Sequence, residues 1–280
     1  MASVIGRLID TANCAWIGPS GRDEALPAAM RAVLDRLIDK INAAPIDPVP
    51  DDNIFMEEVF PPDLYAQILA FLPDDASYDY IDHRDAVLPD GTKTRKLLDL
   101  RYKTLKRLQP QCRDFWRNLN GVFSSTALQR AITQKFRRRM DEQFGIRWPR
   151  MVSVPLFYRD LPGYRIGIHP DAPFKIATMQ FYFPKDTSQI HLGTSFHVKE
   201  GKEFRLWKTN EFKPNSAYAF VRTNNSWHSV AQLGPHEARR DTLALTIYKK
   251  GSEYKSDYGP RTISWLRSLR PAGHYRLTKR

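Results

Sequence analysis

The segment that decides the fold is YRIGIHPDAPFKIATMQFYF, residues 164–183. Its two ends, Tyr164 to Ile168 and Ile176 to Phe183, are rich in β-branched and aromatic residues, which favours two short strands. Between them, His169 and Asp171 stand two positions apart, so on extended backbone their side chains point to the same side. The segment therefore predicts two strands whose connection presents an imidazole and a carboxylate together.

Further short segments of the same kind follow along the chain. They are Phe204–Trp207, Ala217–Val221 and Leu243–Tyr248, separated by Gly, Pro, Asn or charged clusters. Short strands at this spacing predict a sandwich or jelly-roll barrel rather than βαβ units. The mouth of such a barrel is a natural place for a metal ion and a small ligand.

A distal histidine, His228, completes a possible metal-ligand set with His169 and Asp171. Two imidazoles and one carboxylate are the ligands that iron(II) takes when three positions on one face stay open. A His-x-Asp tripeptide alone is a weak signal of a metal site. A histidine later in the chain, in the order expected for a third ligand, makes the signal more specific. The rival coordination is a cupin-type site built on His191 and His197, for which the sequence offers no convincing glutamate.

Residues 164–248 resemble the core of the iron(II)/2-oxoglutarate-dependent oxygenases, especially the bacterial phytanoyl-CoA hydroxylase and prolyl hydroxylase types. The matching pieces are YRIGIHPDAPFK, TMQFYFP, HLGTSF, FKPNSAYAFV, NNSWHSV and RRDTLALTIY. The resemblance implies an α+β protein with a double-stranded β-helix core, of the jelly-roll or cupin-like kind. An N-terminal helical layer would buttress one face of that core.

The resemblance also implies roles for individual residues. His169, Asp171 and His228 would be the catalytic ligands of Fe(II), and Arg240 would bind the far carboxylate of 2-oxoglutarate. Tyr182 is expected near the same carboxylate, and O2 would be the second cosubstrate. Halogenases of the superfamily lack the carboxylate ligand, so the presence of Asp171 favours oxygen transfer or desaturation.

Two adjacent arginines, Arg239 and Arg240, compete for the cosubstrate role. On a strand, Arg240 shares a face with Thr242, Ala244 and Thr246, whereas Arg239 shares its face with leucines. Small and hydroxyl-bearing residues suit a cavity for a dicarboxylate, and leucines suit a contact with outer helices. The alternation therefore favours Arg240, whose guanidinium can also pair with a carboxylate through two nitrogens.

The expected activity is hydroxylation of an unactivated C–H bond in a small-molecule, amino-acid or glycan-type substrate. An acidic group on that substrate would meet Arg165 or Arg222, although both arginines could equally lie in surface ion pairs. Two alternatives stay open at this point. One is a nucleic-acid-modifying oxygenase, and the other is a non-catalytic cupin-like binding module.

The N-terminal half is predicted to be mainly helical. A stripe of apolar residues from Met30 to Ile41 predicts one helix, and residues 43–53, with three prolines, predict a linker after it. This divides the chain into an N-terminal helical extension at 1–50 and an oxygenase domain at 51–280, with its core at about 151–250. Further helices are expected at Leu64–Leu72 and from Ser124 or Ser125 to Gly145.

The chain is strongly basic, with a formal net charge of +12 and a sequence pI near 9.7. The basic residues cluster in KTRK, RYKTLKR, KFRRRM and the C-terminal RSLRPAGHYRLTKR. The helical cluster Lys135 and Arg137–Arg139 could bind phosphate groups, but a solvated outer helix face is the commoner outcome for such a run. Since stacking aromatics are not interleaved with these runs, no specific nucleic-acid partner is expected.

Composition excludes several classes of protein. A hydrophobic fraction of 42% with 12% aromatics argues against a disordered chain. Two cysteines, Cys14 and Cys112, are too few for a disulfide framework and fit a reducing compartment. The sequence shows no secretory signal and no apolar stretch of membrane-spanning length. These features predict a cytoplasmic protein without a membrane span, and they leave its oligomeric state open.

Overall fold

The computed structural model describes residues 26–100 and 102–252. Predictions for Cys14 and for the C-terminal basic run lie outside the described residues. The helices are α1 (Ala28–Ala43), α2 (Pro62–Ala70), α3 (Tyr102–Leu105), α4 (Pro110–Phe123), α5 (Thr126–Lys135) and α6 (Arg137–Phe144). The strands are β1 (Asn53–Glu57), β2 (Asp79–Tyr80), β3 (Arg95–Asp99), β4 (Met151–Asp160), β5 (Ile166–His169), β6 (Lys175–Tyr182), β7 (Thr194–Glu200), β8 (Glu203–Thr209), β9 (Ser216–Val221), β10 (His228–Val230) and β11 (Arg240–Lys249).

The strands form two antiparallel sheets. The large sheet has the order β1-β9-β6-β11-β4-β3-β2, and the small sheet has the order β5-β10-β7-β8. From β4 to β11 the chain passes repeatedly between the two sheets, so that β4, β6, β9 and β11 lie in one and β5, β7, β8 and β10 in the other. This is the double-stranded β-helix that the resemblance implies, and β1, β2 and β3 extend its large sheet at both edges.

Alternation along the strands separates two hydrophobic layers. On β9, Tyr218 and Phe220 face the space between the sheets, while Ala217 and Ala219 face the helices. The same alternation on β11 places Leu243, Leu245 and Ile247 against the helical layer. The helices therefore cover the outer face of the large sheet, and the barrel interior receives the residues of opposite parity.

Helix α1 belongs to this outer layer because its apolar stripe is buried. Met30, Val33, Leu34, Leu37 and Ile41 are all buried, in one cluster with Trp116 of α4 and Leu128 of α5. Burying each aliphatic side chain is worth about 1.5–3 kcal/mol. The helix starts directly after Pro27, whose fixed φ suits a helix entry. The predicted helical buttress is therefore present in the described residues.

The structure corrects one prediction about the N-terminal half. The single helix expected from Ser125 to Gly145 is two helices, α5 and α6, which meet at Phe136, where φ is −103° and ψ is 30°. The predicted linker at residues 43–53 is exposed over much of its length, but Asp51 and Asp52 at its end are each only 3% exposed. Both carboxylates form ion pairs with α6, described below.

No helix in residues 26–100 and 102–252 is both long enough and apolar enough to cross a membrane. The described helices are amphipathic, with apolar residues on the faces that cover the sheet.

Candidate active site

His169, Asp171 and His228 lie together at one end of the barrel. One ligand atom from each residue lies within 4.8 Å of the others. The two histidines are direct partners across β5 and β10, with ring centroids 4.4 Å apart. Asp171 reaches them from the connection between β5 and β6. Among the described residues, this is the only group of three or more possible metal ligands.

The two imidazoles are held in the orientation that a metal site needs. Nδ1 of His169 contacts the Gly167 carbonyl at 2.8 Å, and Nδ1 of His228 contacts the Ser226 carbonyl at 2.9 Å. Because a carbonyl oxygen can only accept a hydrogen bond, Nδ1 carries the proton in both rings. Each Nε2 therefore keeps its lone pair for a ligand bond, as in metal sites whose histidines are fixed by carbonyl acceptors.

The carboxylate of Asp171 is buried and fixed through both oxygens. The Thr178 hydroxyl donates to Oδ2 at 2.8 Å, and the Lys175 ammonium contacts Oδ1. Burial alone would raise the pKa of Asp171, but Lys175 and the two imidazoles outweigh it and hold the pKa well below its usual range. The side chain is therefore an anion at neutral pH, as a metal ligand must be.

Burial has the opposite consequence for the histidines, because it disfavours their protonated form. It lowers the pKa of His169, and it lowers the pKa of His228 to about 3, with the neighbouring His169 adding to the effect. Phe220 packs against the His228 ring with centroids 4.8 Å apart. Both imidazoles are therefore neutral at physiological pH. The donor set, two neutral imidazoles and one carboxylate, suits a divalent first-row metal.

Arg240 is fully buried inside the barrel, whereas Arg239 points outward. Arg239 is about half exposed and pairs with Asp241 at 2.8 Å. Arg240 donates from Nε to the Leu192 carbonyl at 2.8 Å and from Nη1 to Asp160 at 2.7 Å. Its Nη2 is buried without a hydrogen-bond partner in the described part of the chain. A buried donor of this kind is costly unless a ligand satisfies it.

Two arginines share Asp160 within the barrel. Nε of Arg95 lies 2.9 Å from its Oδ1, and the guanidinium of Arg95 also stacks on the rings of Tyr158 and Tyr164 at 4.0 and 4.5 Å. Two guanidinium groups against one carboxylate leave a local charge of +1 (2 − 1). Together with the unpartnered Nη2 of Arg240, this surplus makes the region suitable for an anionic ligand.

Tyr182 lies beside Arg240 and begins a chain of hydrogen bonds across the interior. Its hydroxyl donates to Thr194 at 2.9 Å, and the guanidinium of Arg240 lies 5.4 Å from its ring centroid. The chain continues by donation from Thr194 to Tyr218, from Tyr218 to Gln180 and from Gln180 to Thr242. This row joins β6, β7, β9 and β11 through polar groups in the barrel interior.

Gly193 sets the position of Thr194 in this row. A Cβ on Gly193 would lie 1.5 Å from the main-chain oxygen of Asn210. Only glycine permits this close approach of two backbones. Thr194 then donates its amide to the Tyr182 hydroxyl at 2.9 Å.

The two arginines considered for the substrate have different surroundings. Arg165 is exposed just before β5. Arg222 is half-buried, and its Nε donates to the Asp171 carbonyl at 2.9 Å. The structure therefore brings Arg222, but not Arg165, into contact with the candidate metal ligands.

The rival site and the basic runs have other partners. His191 pairs with Glu237, and His197 contacts Ser229 at 2.7 Å.

The basic cluster on the helices forms ion pairs within the chain. Arg138 and Arg139 bind the buried acids Asp52 and Asp51, and Arg137 binds Asp141. Lys135 donates to the Asn42 carbonyl. Arg137 and Arg138 are exposed, as expected of an outer helix face, and the cluster also forms ion pairs with acids of the same chain.

Several residues of the site escaped sequence analysis. Lys175 and Thr178 hold Asp171, and Asp160 pairs with Arg240. A signal for Thr178 was present, because it shares strand parity with Tyr182 on β6. Asp160 had no such signal, since its partner lies on a strand far along the chain.

Comparisons with known proteins place the chain near a group of solved oxygenase structures. No family model and no curated protein matches the sequence. A prolyl-4-hydroxylase from Pseudomonas putida is 13% identical, covers 78% of this chain and 100% of its own, and has a TM-score of 0.44. An oxidoreductase of the 2OG-Fe(II) oxygenase family from Burkholderia pseudomallei is 10% identical. The similarity covers 84% of this chain and 96% of that protein, with a TM-score of 0.43.

A third similar structure is a prolyl hydroxylase from Trichoplax adhaerens, in complex with a peptide fragment of the hypoxia inducible factor oxygen degradation domain. It is 11% identical, covers 84% of this chain and 99% of its own, and has a TM-score of 0.44. At these identities and TM-scores, the activity of the chain has to be inferred from its own residues.

Proposed function

We propose that the protein is an iron(II)/2-oxoglutarate-dependent dioxygenase that hydroxylates an unactivated C–H bond. The observation that carries this proposal is the convergence of His169, Asp171 and His228 at one end of a double-stranded β-helix. Two neutral imidazoles and a carboxylate on one side of an ion leave its opposite side open for cosubstrate and dioxygen. We infer that the substrate is a small-molecule, amino-acid or glycan-type compound.

In this proposal, Nε2 of His169, Nε2 of His228 and the carboxylate of Asp171 hold the iron. When bound there, iron(II) supplies the chemistry that couples conversion of 2-oxoglutarate and O2 into succinate and CO2 to insertion of one oxygen atom into a C–H bond. Ser226 and Gly167 keep both imidazoles in the required tautomer through their carbonyls. Thr178 and Lys175 orient the carboxylate before the metal arrives.

Arg240 is the proposed anchor for the far carboxylate of 2-oxoglutarate. Its Nη2 is the nitrogen available for that contact, because Nε and Nη1 already bind Leu192 and Asp160. The contact is thus one charge-assisted hydrogen bond rather than the two-nitrogen pairing expected from the sequence. Tyr182 and Phe212 pack beside the guanidinium and keep water from it.

The test is anaerobic reconstitution of the purified protein with iron(II), followed by addition of 2-oxoglutarate and O2. One iron per chain and iron-dependent formation of succinate are expected, with faster turnover when a substrate is found in a screen of small molecules. A protein that binds no iron and forms no succinate would instead be the non-catalytic binding module. Iron binding without any 2-oxoglutarate consumption would point to another metal enzyme.

A further inference from the structure

Two cationic side chains touch Asp171 in addition to the two imidazoles. The Lys175 ammonium contacts its carboxylate, and the Arg222 guanidinium contacts its main-chain oxygen. These contacts place two cations against one carboxylate before any metal binds. Asp85 lies near enough to act on His169.

Arg222 continues the inward-facing row of β9. Tyr218 and Phe220 face the barrel interior, and Arg222 is the next residue of the same parity. Its amide donates to the Ile176 carbonyl at 2.8 Å, so the ladder with β6 extends one residue beyond the strand. Since Phe220 packs on the His228 ring, Arg222 lies at the metal end of the barrel.

The guanidinium of Arg222 is anchored by one atom only. Nε is bound to the Asp171 carbonyl, while neither Nη1 nor Nη2 forms a hydrogen bond within residues 26–100 and 102–252. A planar group held at Nε presents its two outer nitrogens in a fixed direction, as oxyanion recognition requires.

We propose that Arg222 binds an oxyanion, a carboxylate or a phosphate group, on the substrate and so selects anionic substrates for oxidation close to that group. Lys175 adds positive charge but stays on Asp171, so Arg222 supplies the directional contact. This inference rests on the proposed function, because the substrate must lie beside the metal for the contact to matter.

The test uses Mn²⁺ as a paramagnetic probe of the metal site, with 2-oxoglutarate at saturation and no oxygen. Inorganic phosphate and acetate are the anion probes, observed through relaxation of their ³¹P nucleus and their ¹³C carboxyl nucleus. An anion on Arg222 lies close to Mn²⁺, so strong relaxation is expected in the wild type. The probe with the larger effect identifies the substrate group as phosphate or carboxylate.

Three variants separate the possible sources of that signal. Arg222→Gln should bind the anion about tenfold more weakly, the loss expected for one charge-assisted contact. Arg222→Lys keeps the charge and should be intermediate, which guards against an effect of folding. Arg137→Gln removes the same charge from the outer helix α6 and should behave as the wild type. Mn²⁺ affinity is measured first in all three, so that the relaxation is compared at equal occupancy of the metal site.

Equal relaxation in the wild type and Arg222→Gln would mean that the anion binds the metal directly, and it would overturn the inference. Lack of relaxation in a wild-type protein that holds Mn²⁺ would also overturn it. If the wild type does not bind Mn²⁺ at all, the proposed function itself fails, and this result is seen before any anion is added.

Discussion

Arg240 and Asp160 form a fully buried ion pair across β11 and β4, where they are direct register partners. The Asp160 carboxylate contacts two guanidinium groups, because Arg95 lies against the oxygen that Arg240 does not bind. Burying charges is costly, and a buried pair is retained only where its hydrogen bonds are well satisfied or where it has a further role. The unpartnered Nη2 of Arg240 favours a further role in ligand binding.

The two members of this pair should differ in their importance for stability. Arg240→Met leaves Asp160 paired with Arg95, and we expect it to lower the free energy of unfolding by about 3 kcal/mol. Asp160→Asn leaves two buried cations without a counter-charge, so it should cost more, about 5 kcal/mol or loss of folding. Urea unfolding of both variants measures the order, and a milder effect of Asp160→Asn would contradict the charge assignment.

Arg240 and Arg239 should also differ in binding 2-oxoglutarate. Arg240→Met should weaken binding about 30-fold, which corresponds to about 2 kcal/mol for a buried charge-assisted contact. Arg239→Ala is the matched control, since that side chain points outward. Titration of the Mn²⁺-loaded proteins gives both values, at a temperature where circular dichroism shows each variant folded. Similar losses in the two variants would remove Arg240 from the cosubstrate site.

Metal binding should depend on all three candidate ligands. Replacement of His169, Asp171 or His228 by Ala should abolish stoichiometric iron uptake, because two remaining side-chain ligands hold a divalent ion weakly. His191→Ala should keep full uptake, as its partner is Glu237. Metal analysis after anaerobic reconstitution tests this. Iron retained by His228→Ala and lost by His191→Ala would favour the rival cupin-type site.

Acid should destabilise the metal-free protein through His228. Burial lowers the pKa of this residue from 6.5 to about 3, so between these values the unfolded chain binds a proton that the folded protein does not. The free energy of unfolding therefore falls as pH falls from 6.5 towards 3, by about 2 kcal/mol at pH 5 for this group. Urea unfolding at pH 7 and pH 5, with a chelator present, should show a smaller acid loss for His228→Gln than for the wild type.

The basic runs should not form a specific nucleic-acid site. Most described residues of the helical cluster are engaged with acids of the same chain, such as Asp51 and Asp52. Weak binding that disappears as salt rises is still expected from a net charge of +12. Fluorescence anisotropy of a labelled oligonucleotide at about 0.15 M salt should show no tight complex. If an oligonucleotide stimulated turnover of 2-oxoglutarate, the result would support the alternative that the protein is a nucleic-acid-modifying oxygenase.

Local patterns in the sequence predicted much of the barrel. The β-branched and aromatic runs located β5, β6, β8, β9 and β11, and alternation on β11 separated Arg240 from Arg239. Strand β4 was missed because Pro155 interrupts its pattern and removes a donor, which usually argues against a central strand. Strand β10 is only three residues long, too short for any periodic signal.

Contacts between distant residues could not be predicted in the same way. The ion pairs of Arg138 with Asp52 and of Arg139 with Asp51 could not be predicted, because these acids lie far earlier in the chain. Likewise, nothing local to Asp160 indicates that it is buried against Arg240. A charged residue in sequence is ordinarily exposed, and only the folded arrangement reveals which ones are paired inside.

The cross-strand pairing of His169 and His228 affects how the protein would fold. These residues come from distant parts of the chain and meet only when β10 joins β5, so the proposed metal site does not exist before the small sheet closes. Closure of such a loop has an entropic cost that the ion cannot offset in advance. A metal that binds only the native state should therefore slow unfolding rather than hasten folding. The ion would then set the lifetime of the folded protein in the cell.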